Sequence, residues 1–319
     1  MRVVYWARLG LARAALTERL RAVPGCELVV VETTDEVLAA LPDAEALVLY
    51  DAPPADARRV VTAVAASKLR WMHFVSAGRE GFEAVGLPTG LAITYAAGGV
   101  APTVAEHAMA LLLALARRVP EMVRQGAEQR WDRALAARAV SLEGATLAIL
   151  GTGHIGLGIS RRARAFGMRT VGLSRSALPA EALDESLPLT ELHAVLARSD
   201  ALAVALALTP QTRQLIGSDA FAACRPGLLL VNVARGAIVD QAALVEALRS
   251  GRLGGAGLDV TDPEPLPSGD ALWQAPNVLI SPHFAGGGSA ASVQRLAEGA
   301  ADNLRRLMAG VPLRDPIPN

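Results

Sequence analysis

The side chains of this chain that could combine acid–base chemistry with anion binding are Arg235, Glu264 and His283. They lie in three segments, each next to an apolar stretch, at 231–240, 257–266 and 281–286. An arginine offers a planar fork that binds a carboxylate and can polarise a carbonyl group. A histidine exchanges protons near neutral pH, and a neighbouring glutamate stabilises its protonated form. Together these residue types supply what hydride transfer to a 2-keto acid requires.

Taken singly, each of the three residues has a structural alternative. Arg235 could cap or pair on a surface loop, and Glu264, between two prolines, could be a solvated turn residue. A lone histidine such as His283 is more often structural than catalytic. The functional interpretation therefore depends on their occurrence together with a cofactor site.

A glycine turn at 151–156 provides the candidate cofactor site. It follows the apolar stretch 146–150 and precedes a predicted helix at Leu157–Phe166. In a strand–turn–helix, the first glycine makes the turn, the second lets a pyrophosphate approach the backbone, and the third permits close helix packing. A glycine turn without ligand and a methyltransferase-type loop are the alternatives. We predict dinucleotide binding, with these contacts: Gly151, Gly153, His154, Ile155 and Gly156.

The end of the next strand, Arg169–Leu173, bears on the choice between NAD and NADP. An acidic residue there would bind the adenine ribose hydroxyls. The chain has Ser174, Arg175 and Ser176 instead, and this arginine can pair with a 2′-phosphate. NADP(H) is therefore the expected cofactor and NAD(H) remains possible, while a solvated arginine at a strand end is the alternative.

Short apolar strands alternate with helices along the chain, the pattern of parallel α/β architecture with sheets covered on both faces. The strands predicted before residue 100 are Val3–Trp6, Glu27–Val31, Ala46–Tyr50, Trp71–Val75 and Leu91–Thr94. The helices predicted between them are Leu11–Val23, Asp35–Leu41 and Asp56–Ala66. The later helices are predicted at Val104–Arg118, Glu121–Ala139 and Ala290–Ala309. Thr103 is expected to cap the first of these, with Glu106 as its capping-box partner.

The three segments and the glycine turn together resemble the D-isomer-specific 2-hydroxyacid dehydrogenase family, including its glyoxylate and hydroxypyruvate reductases. The segment 104–106 (Val-Ala-Glu) matches as well, and the resemblance covers essentially the whole chain. It implies two Rossmann-like, doubly wound parallel-sheet domains with a deep interdomain cleft. Residues 1–98 and 287–319 would form the substrate domain, and residues 99–286 the dinucleotide-binding domain. Glycines 286–288 are a candidate hinge.

The resemblance also implies roles for single residues. Arg235 would bind the substrate carboxylate, His283 would be the acid/base, and Glu264 would support it. Asp259 would hold the nicotinamide carboxamide, and the full set of further expected cofactor contacts is Thr103, Ala234, Asp259 and Gly286. A homodimer through the helix at 104–118 and the segment 121–139 is likewise implied.

A loop at Ser76, Ala77 and Gly78 matches the family's substrate loop, and its backbone N–H groups could bind a carboxylate. The chain departs from the family pattern here, with Arg79 and Glu80 where an apolar residue and an aspartate are common. Arg79 could add a second positive contact for a short polar acid, or it could point to solvent. A further departure is Ala207, where a proline is typical near the adenosine.

Composition excludes several classes of function. The chain has 319 residues, with Lys+Arg and Asp+Glu both at 31, so no net charge draws it to nucleic acid or to an anionic membrane. The longest strongly apolar run, 108–116, is too short to cross a bilayer, and the first residues look like a strand rather than a leader. Cys26 and Cys224 fit no metal or redox spacing, and we expect no metal and a cytoplasmic location.

These observations favour an NADPH-dependent reductase of glyoxylate, hydroxypyruvate or a similar short 2-keto acid. One alternative is a dehydrogenase of a bulkier or inorganic acid, although aromatic residues make up only 4% of the chain and Trp131 and Trp273 are the candidates for an aryl pocket. The other is a non-enzymatic protein that senses dinucleotides. Such a sensor needs no proton donor, so the set of Arg235, Glu264 and His283 argues against it.

Overall fold

The structure is a computed structural model that describes residues 1–10, 12–76 and 78–317. The chain divides into two compact units, one of Met1–Val100 with Gly288–Asn319 and the other of Ala101–Gly287. We call them the five-stranded unit and the seven-stranded unit after their sheets. The boundaries expected from the sequence, after residues 98 and 286, differ from these by two residues and one residue.

The described part of the five-stranded unit has a parallel sheet in the order β2-β1-β3-β4-β5. Its strands are β1 (Arg2–Trp6), β2 (Glu27–Val31), β3 (Ala46–Leu49), β4 (Trp71–Phe74) and β5 (Ala92–Tyr95). Its helices are α1 (Arg13–Arg21), α2 (Thr34–Ala40), α3 (Pro54–Val64), α4 (Glu80–Glu83) and, near the end of the chain, α11 (Ala290–Ala309). The strands run outward in both directions from β1, so this sheet is doubly wound as predicted.

Helices cover both faces of this sheet. Tyr5 packs in the cluster that α1 and α11 form, whereas the adjacent Val4 packs in the cluster with α2 and α3. Alternate residues of β1 therefore point into two cores, and this is why the strands are continuously apolar. The helix α11 has the predicted bounds, because the Ser289 side chain accepts from Ser292 N at 3.1 Å at its start and Gly310 takes a left-handed conformation (φ 67°) at its end.

The described part of the seven-stranded unit has a parallel sheet in the order β12-β11-β10-β9-β6-β7-β8. Its strands are β6 (Thr146–Leu150), β7 (Arg169–Ser174), β8 (Glu185–Pro188), β9 (Ala201–Val204), β10 (Leu228–Asn232), β11 (Leu253–Leu258) and β12 (Val278–Ile280). Its helices are α5 (Ala101–Ala116), α6 (Val119–Ala127), α7 (His154–Ala165), α8 (Leu192–Leu196), α9 (Ser218–Ala223) and α10 (Gln241–Arg249). The direction of winding reverses between β6 and β9, where ligands of doubly wound sheets bind.

Two sequence predictions in this unit are wrong in their details. The helix α5 begins at Ala101, so Thr103 lies in its first turn rather than at its cap, and Glu106 pairs with Arg162 (3.0 Å) instead of completing a capping box. The predicted helix at 121–139 is two separate pieces, α6 and a 3-10 turn at Arg133–Arg138. Asp132 caps that turn by accepting from Ala134 N, which separates it from α6. Among the described residues, no helix combines the length and the apolar character needed to cross a membrane.

Candidate functional site

The glycine turn has the geometry of a cradle. Gly151 takes φ +99°, a conformation that favours glycine, and its N donates to Leu173 O at 2.8 Å. A Cβ on Gly156 would lie 1.9 Å from Gly151 O, so only glycine lets α7 approach the turn this closely. A Cβ on Gly153, by contrast, would meet no atom of the described residues within 4 Å. The turn is therefore closed on the protein side and open beside Gly153.

The open side of this turn lies at the N-terminus of α7. The helix begins at His154, three residues before the predicted start, so His154, Ile155 and Gly156 form its first turn. The N–H groups of a first helical turn have no acceptors within the helix and favour anions. An open Gly153 beside these donors fits the pyrophosphate of a dinucleotide.

At the end of β7, the side chains that follow the strand are accessible. Ser174 is half-buried and its Oγ accepts a hydrogen bond from Ala177 N at 3.2 Å. Arg175 and Ser176 are exposed. A guanidinium, and no carboxylate, therefore follows this strand directly.

The turn that carries Arg235 is held by a buried amide. Asn232 is 1% exposed; its Oδ1 accepts from Ala234 N and its Nδ2 donates to Arg235 O, both at 3.0 Å. Arg235 Nη1 donates to Ala234 O at 2.7 Å. A Cβ on Gly236 would lie 2.0 Å from Thr261 C, so this turn packs directly against the backbone that leads to Glu264.

Glu264 and His283 meet, as their residue types suggested. His283 Nδ1 lies 2.8 Å from Glu264 Oε2, while Glu264 Oε1 accepts from Thr261 N at 3.1 Å. The side chains of His283 and Glu264 are 48% and 37% exposed, so a substrate can reach the imidazole. His283 has φ +50°, a left-handed conformation that costs a non-glycine residue roughly 1–2 kcal/mol. The surrounding loop must therefore hold this histidine in place.

A family model described as D-isomer specific 2-hydroxyacid dehydrogenase, NAD binding domain, matches residues 109–285. A glyoxylate reductase from Korarchaeum cryptofilum is 36% identical over 269 residues, which cover 82% of this chain and 79% of that protein. The chain belongs to the D-isomer-specific 2-hydroxyacid dehydrogenase family.

Other members of this family are also similar to the chain. The D-3-phosphoglycerate dehydrogenase of Mycobacterium tuberculosis is 33% identical over 284 residues, which cover 89% of this chain but only 53% of that protein. The chain thus spans about half the length of the phosphoglycerate dehydrogenases it matches. A crystal structure of a D-isomer specific 2-hydroxyacid dehydrogenase from Xanthobacter autotrophicus Py2, in complex with NADPH and MES, has a TM-score of 0.82 and 26% identity, covering 99% of this chain and 98% of that one.

In this family member, Asp259 has a contact pattern that its residue type alone did not indicate. The side chain is 2% exposed, and its oxygens accept from Ser281 Oγ (2.7 Å), Phe284 N (3.1 Å) and Ala285 N (3.0 Å). These contacts join the end of β11 to residues on both sides of His283. The contact with a nicotinamide carboxamide that the resemblance implies for Asp259 stays a prediction, as does the cofactor role of Gly286, which follows this loop.

The predicted substrate loop belongs to the five-stranded unit. Ser76 Oγ donates to Gly78 O at 3.1 Å, and Ala77 lies outside the described residues. The Arg79 side chain is 24% exposed, with Nε 2.7 Å from Glu83 Oε1 and its guanidinium 5.4 Å from the centre of the Tyr95 ring. Arg79 is therefore held by Glu83 and Tyr95, and a contact of its guanidinium with a substrate stays a prediction.

The seven-stranded unit thus brings Arg235, Glu264 and His283 to the carboxyl edge of one sheet, where the glycine turn also lies. Sequence reasoning missed Asn232, which holds the arginine turn, and His107, which contacts the histidine loop. The signal for Asn232 was its position at the end of an apolar strand. The signal for His107 was the pair of small residues Gly255 and Gly257, against which an apolar helix can pack closely.

Proposed function

We propose that this chain is an NADPH-dependent reductase of a short 2-keto acid of the glyoxylate or hydroxypyruvate kind. The observation that carries the proposal is the 2.8 Å contact between His283 Nδ1 and Glu264 Oε2, in the same unit as Arg235 and the glycine turn. A proton donor, a group that stabilises its protonated form and a cation for a carboxylate are the parts that reduction of a 2-keto acid needs.

The roles of the residues follow from their chemistry. When bound, the reduced nicotinamide supplies a hydride to the keto carbon. Arg235 binds the substrate carboxylate and polarises the carbonyl group. His283 donates a proton from Nε2 to the keto oxygen, because Nδ1 is engaged by Glu264 Oε2, and Glu264 stabilises the charged imidazole before transfer. In the reverse direction His283 accepts the same proton from the hydroxyl group.

The cofactor is held by residues of the seven-stranded unit. The turn of Gly151, Gly153 and Gly156 with the first turn of α7 binds the pyrophosphate, and the exposed Arg175 with Ser174 and Ser176 binds the 2′-phosphate of NADPH. The remaining contacts that we assign to the cofactor are His154, Ile155, Thr103, Ala234, Asp259 and Gly286. The NADPH bound in the Xanthobacter structure supports this choice for the family fold.

The five-stranded unit, in this proposal, is the substrate domain, with the loop at Ser76 and Gly78 as a carboxylate contact. A second copy of the chain is the proposed partner. Near α6, the apolar side chains of Met122, Val123 and Trp131 are 47%, 67% and 92% exposed, which is costly for a monomer. The unpaired Cys26 and Cys224 support a reducing, cytoplasmic location.

A second candidate substrate is a phosphorylated hydroxy acid, since the mycobacterial relatives at 33% identity are named D-3-phosphoglycerate dehydrogenases. A steady-state panel separates the candidates, using glyoxylate, hydroxypyruvate, phenylpyruvate and 3-phosphohydroxypyruvate, each with NADPH and with NADH. We expect the largest kcat/KM for a short, unphosphorylated keto acid with NADPH. Preference for the phosphorylated acid would select the second candidate, and no turnover with any of the acids would refute both.

The residue assignment is tested in the same assay. We expect His283→Ala to lower kcat by about 10²–10⁴-fold, the usual contribution of a general acid. The matched control is His193→Ala, because His193 is an exposed histidine on α8. Similar activity in the two variants would contradict the assignment of His283. Sedimentation velocity of the wild-type chain tests the dimer, and a monomer at micromolar concentration would contradict it.

A further inference from the structure

His107 on α5 lies directly above the end of β11 because of how these two elements pack. A Cβ on Gly257 would lie 2.8 Å from Leu111 Cβ, and one on Gly255 would lie 3.1 Å from Leu115 Cδ2, so the helix rests on the glycines of the strand. Four helical residues rise about 6 Å, and two strand residues rise about 6.6 Å. Leu115 lies opposite Gly255, and Leu111, four residues earlier on the helix, lies opposite Gly257, two residues later on the strand. Four further helix residues lead to His107 and two further strand residues lead to Asp259, so these two residues also face each other.

Around the loop 281–285, which carries His283, His107 makes three contacts. Its Nε2 lies 2.8 Å from Ser281 Oγ and 3.5 Å from Asp259 Oδ1. Its ring meets the Phe284 ring edge-on, with 4.9 Å between centroids. The histidine thus contacts the loop two residues before His283 and one residue after it.

The direction of the two hydrogen bonds that Ser281 Oγ makes, with Asp259 and with His107, follows from the single proton of this hydroxyl group. Ser281 Oγ has one proton, and the 2.7 Å contact assigns it to Asp259 Oδ1, a carboxylate that can only accept. Ser281 Oγ therefore accepts from His107, whose Nε2 carries a proton. Although serine, histidine and aspartate are the residue types of a hydrolytic triad, this serine donates to the carboxylate instead of to the histidine, so it is not an activated nucleophile.

The loop needs support because His283 has φ +50° and is itself half-exposed. Its backbone N donates to Asp259 O at 2.9 Å, and the Asp259 carboxylate holds the N–H groups of Phe284 and Ala285. His107 adds a donor and an aromatic contact from a separate element, the helix α5. The position of the loop that carries His283 therefore depends on Asp259 at the end of β11 and on His107 of α5.

We propose that His107 is a positioning residue that holds the loop 281–285 so that His283 is placed for proton transfer. This inference rests on the proposed function, in which His283 is the acid/base. Because Arg235 lies on a different turn, held by Asn232, displacement of the loop affects proton transfer more than binding of the substrate carboxylate.

Two substitutions at position 107 separate the hydrogen bond from the packing. His107→Phe keeps a ring against Phe284 but removes the donor to Ser281, whereas His107→Gln retains an N–H donor at a similar reach. We expect His107→Phe to lower kcat by roughly 10–100-fold, as small misplacements of reacting groups do, with KM for the keto acid little changed. His107→Gln should recover most of kcat, and His193→Phe is the control for the same change on an exposed helix position.

Hydrogen–deuterium exchange gives a readout that does not require activity. We expect the peptide that contains Phe284 and Ala285 to exchange faster in His107→Phe than in the wild type or in His107→Gln, with the Arg235 turn unchanged. Unchanged kcat and unchanged exchange in His107→Phe would overturn the inference, as would a loss of kcat in His107→Gln equal to that in His107→Phe. If the wild type reduces no keto acid, the proposed function fails, and the exchange measurement still decides whether His107 holds the loop.

Discussion

In the proposed reaction, the contact of His283 Nδ1 with Glu264 Oε2 leaves Nε2 as the imidazole nitrogen that can meet a substrate. A carboxylate at 2.8 Å fixes the orientation of the ring. Glu264 is itself oriented by Thr261 N, so the two side chains and one backbone donor form a chain of hydrogen bonds. In our proposal, proton transfer therefore depends on the negative charge of Glu264 as well as on the histidine.

Glu264→Gln tests this dependence, because it removes the charge and keeps the size of the side chain. We expect kcat for reduction to fall by about 10-fold or more, since charged hydrogen bonds contribute about 1.5–3 kcal/mol. The matched control is Glu191→Gln, at an exposed position, which should leave kcat unchanged. Steady-state kinetics with saturating NADPH is the measurement, and wild-type kcat in the Glu264 variant would contradict the role of the charge.

Arg175 is the residue on which the cofactor preference depends in our proposal. We expect Arg175→Ala to lower kcat/KM for NADPH by about 10–100-fold, from loss of a charge-assisted contact, and to leave kcat/KM for NADH nearly unchanged. Arg249→Ala, an exposed arginine at the end of α10, is the control. An equal loss with both cofactors would show that Arg175 does not recognise the 2′-phosphate.

At the scale of elements, the three glycines of the turn between β6 and α7 are not all required for the same reason. Gly151 and Gly156 are required by the backbone itself, through a positive φ and through the close approach of α7 to Gly151 O. Gly153 has an extended backbone (φ −79°, ψ −167°) and open space where a Cβ would lie, so the folded chain alone does not require a glycine there. In our proposal, it is the bound pyrophosphate that requires a glycine at this position.

The pair Gly156→Ala and Gly153→Ala tests that distinction. We expect Gly156→Ala to destabilise the protein without cofactor by about 1–3 kcal/mol or more, the usual cost of overpacking. For Gly153→Ala we expect a change within about 1 kcal/mol but at least about 10-fold weaker NADPH binding, since the new methyl group lies where the backbone should meet the phosphates. Urea unfolding and fluorescence titration are the measurements. Equal destabilisation by the two changes would contradict the assignment of open space at Gly153.

At the scale of the whole molecule, each sheet is covered by helices on both faces, and this buries a titratable side chain that has no role in the proposed reaction. His73 in β4 is 1% exposed, and burial lowers its pKa to about 3. Thr94 Oγ1 accepts from Trp71 Nε1 and lies 2.8 Å from His73 Nδ1, so the imidazole has a neutral hydroxyl and no carboxylate as this partner. His73 is therefore neutral in the folded protein.

This burial predicts a pH dependence of stability. Between the pKa of about 3 in the folded state and the usual histidine pKa of 6.5, the unfolded chain binds a proton that the folded chain does not. From His73 alone, the free energy of unfolding should fall by about 1.4 kcal/mol per pH unit as the pH drops below the pKa of an unperturbed histidine. His73→Phe should lose this part of the slope in urea unfolding followed over the acid range, whereas His193→Phe should keep it. An identical slope in both variants would contradict a neutral, buried His73.

The sequence by itself determined the parallel α/β class, most strands to within one residue, and the residue types of the site. These features follow from local signals: continuous apolar runs, glycines that a tight turn requires, and polar residues immediately after strands. The helix at 121–139 was predicted wrongly because a polar, Arg-rich stretch carries no sign that Asp132 will cap a separate turn. The start of α5 was placed three residues late for the same kind of reason, since Thr103 is a good cap that the helix passes through.

Only the tertiary structure decided which residues support the site. The contact of His107 with Ser281 spans 174 residues, and that of Asp259 with Ala285 spans 26. Such pairs depend on how α5 packs against β11, and local propensity contains no information about that packing. The same holds for Asn232, because its side chain can bond to Ala234 N and Arg235 O only when the turn that carries Arg235 has its folded conformation. Arg235, Glu264 and His283 were recognisable by type and spacing, whereas the residues that hold them are defined by long-range geometry.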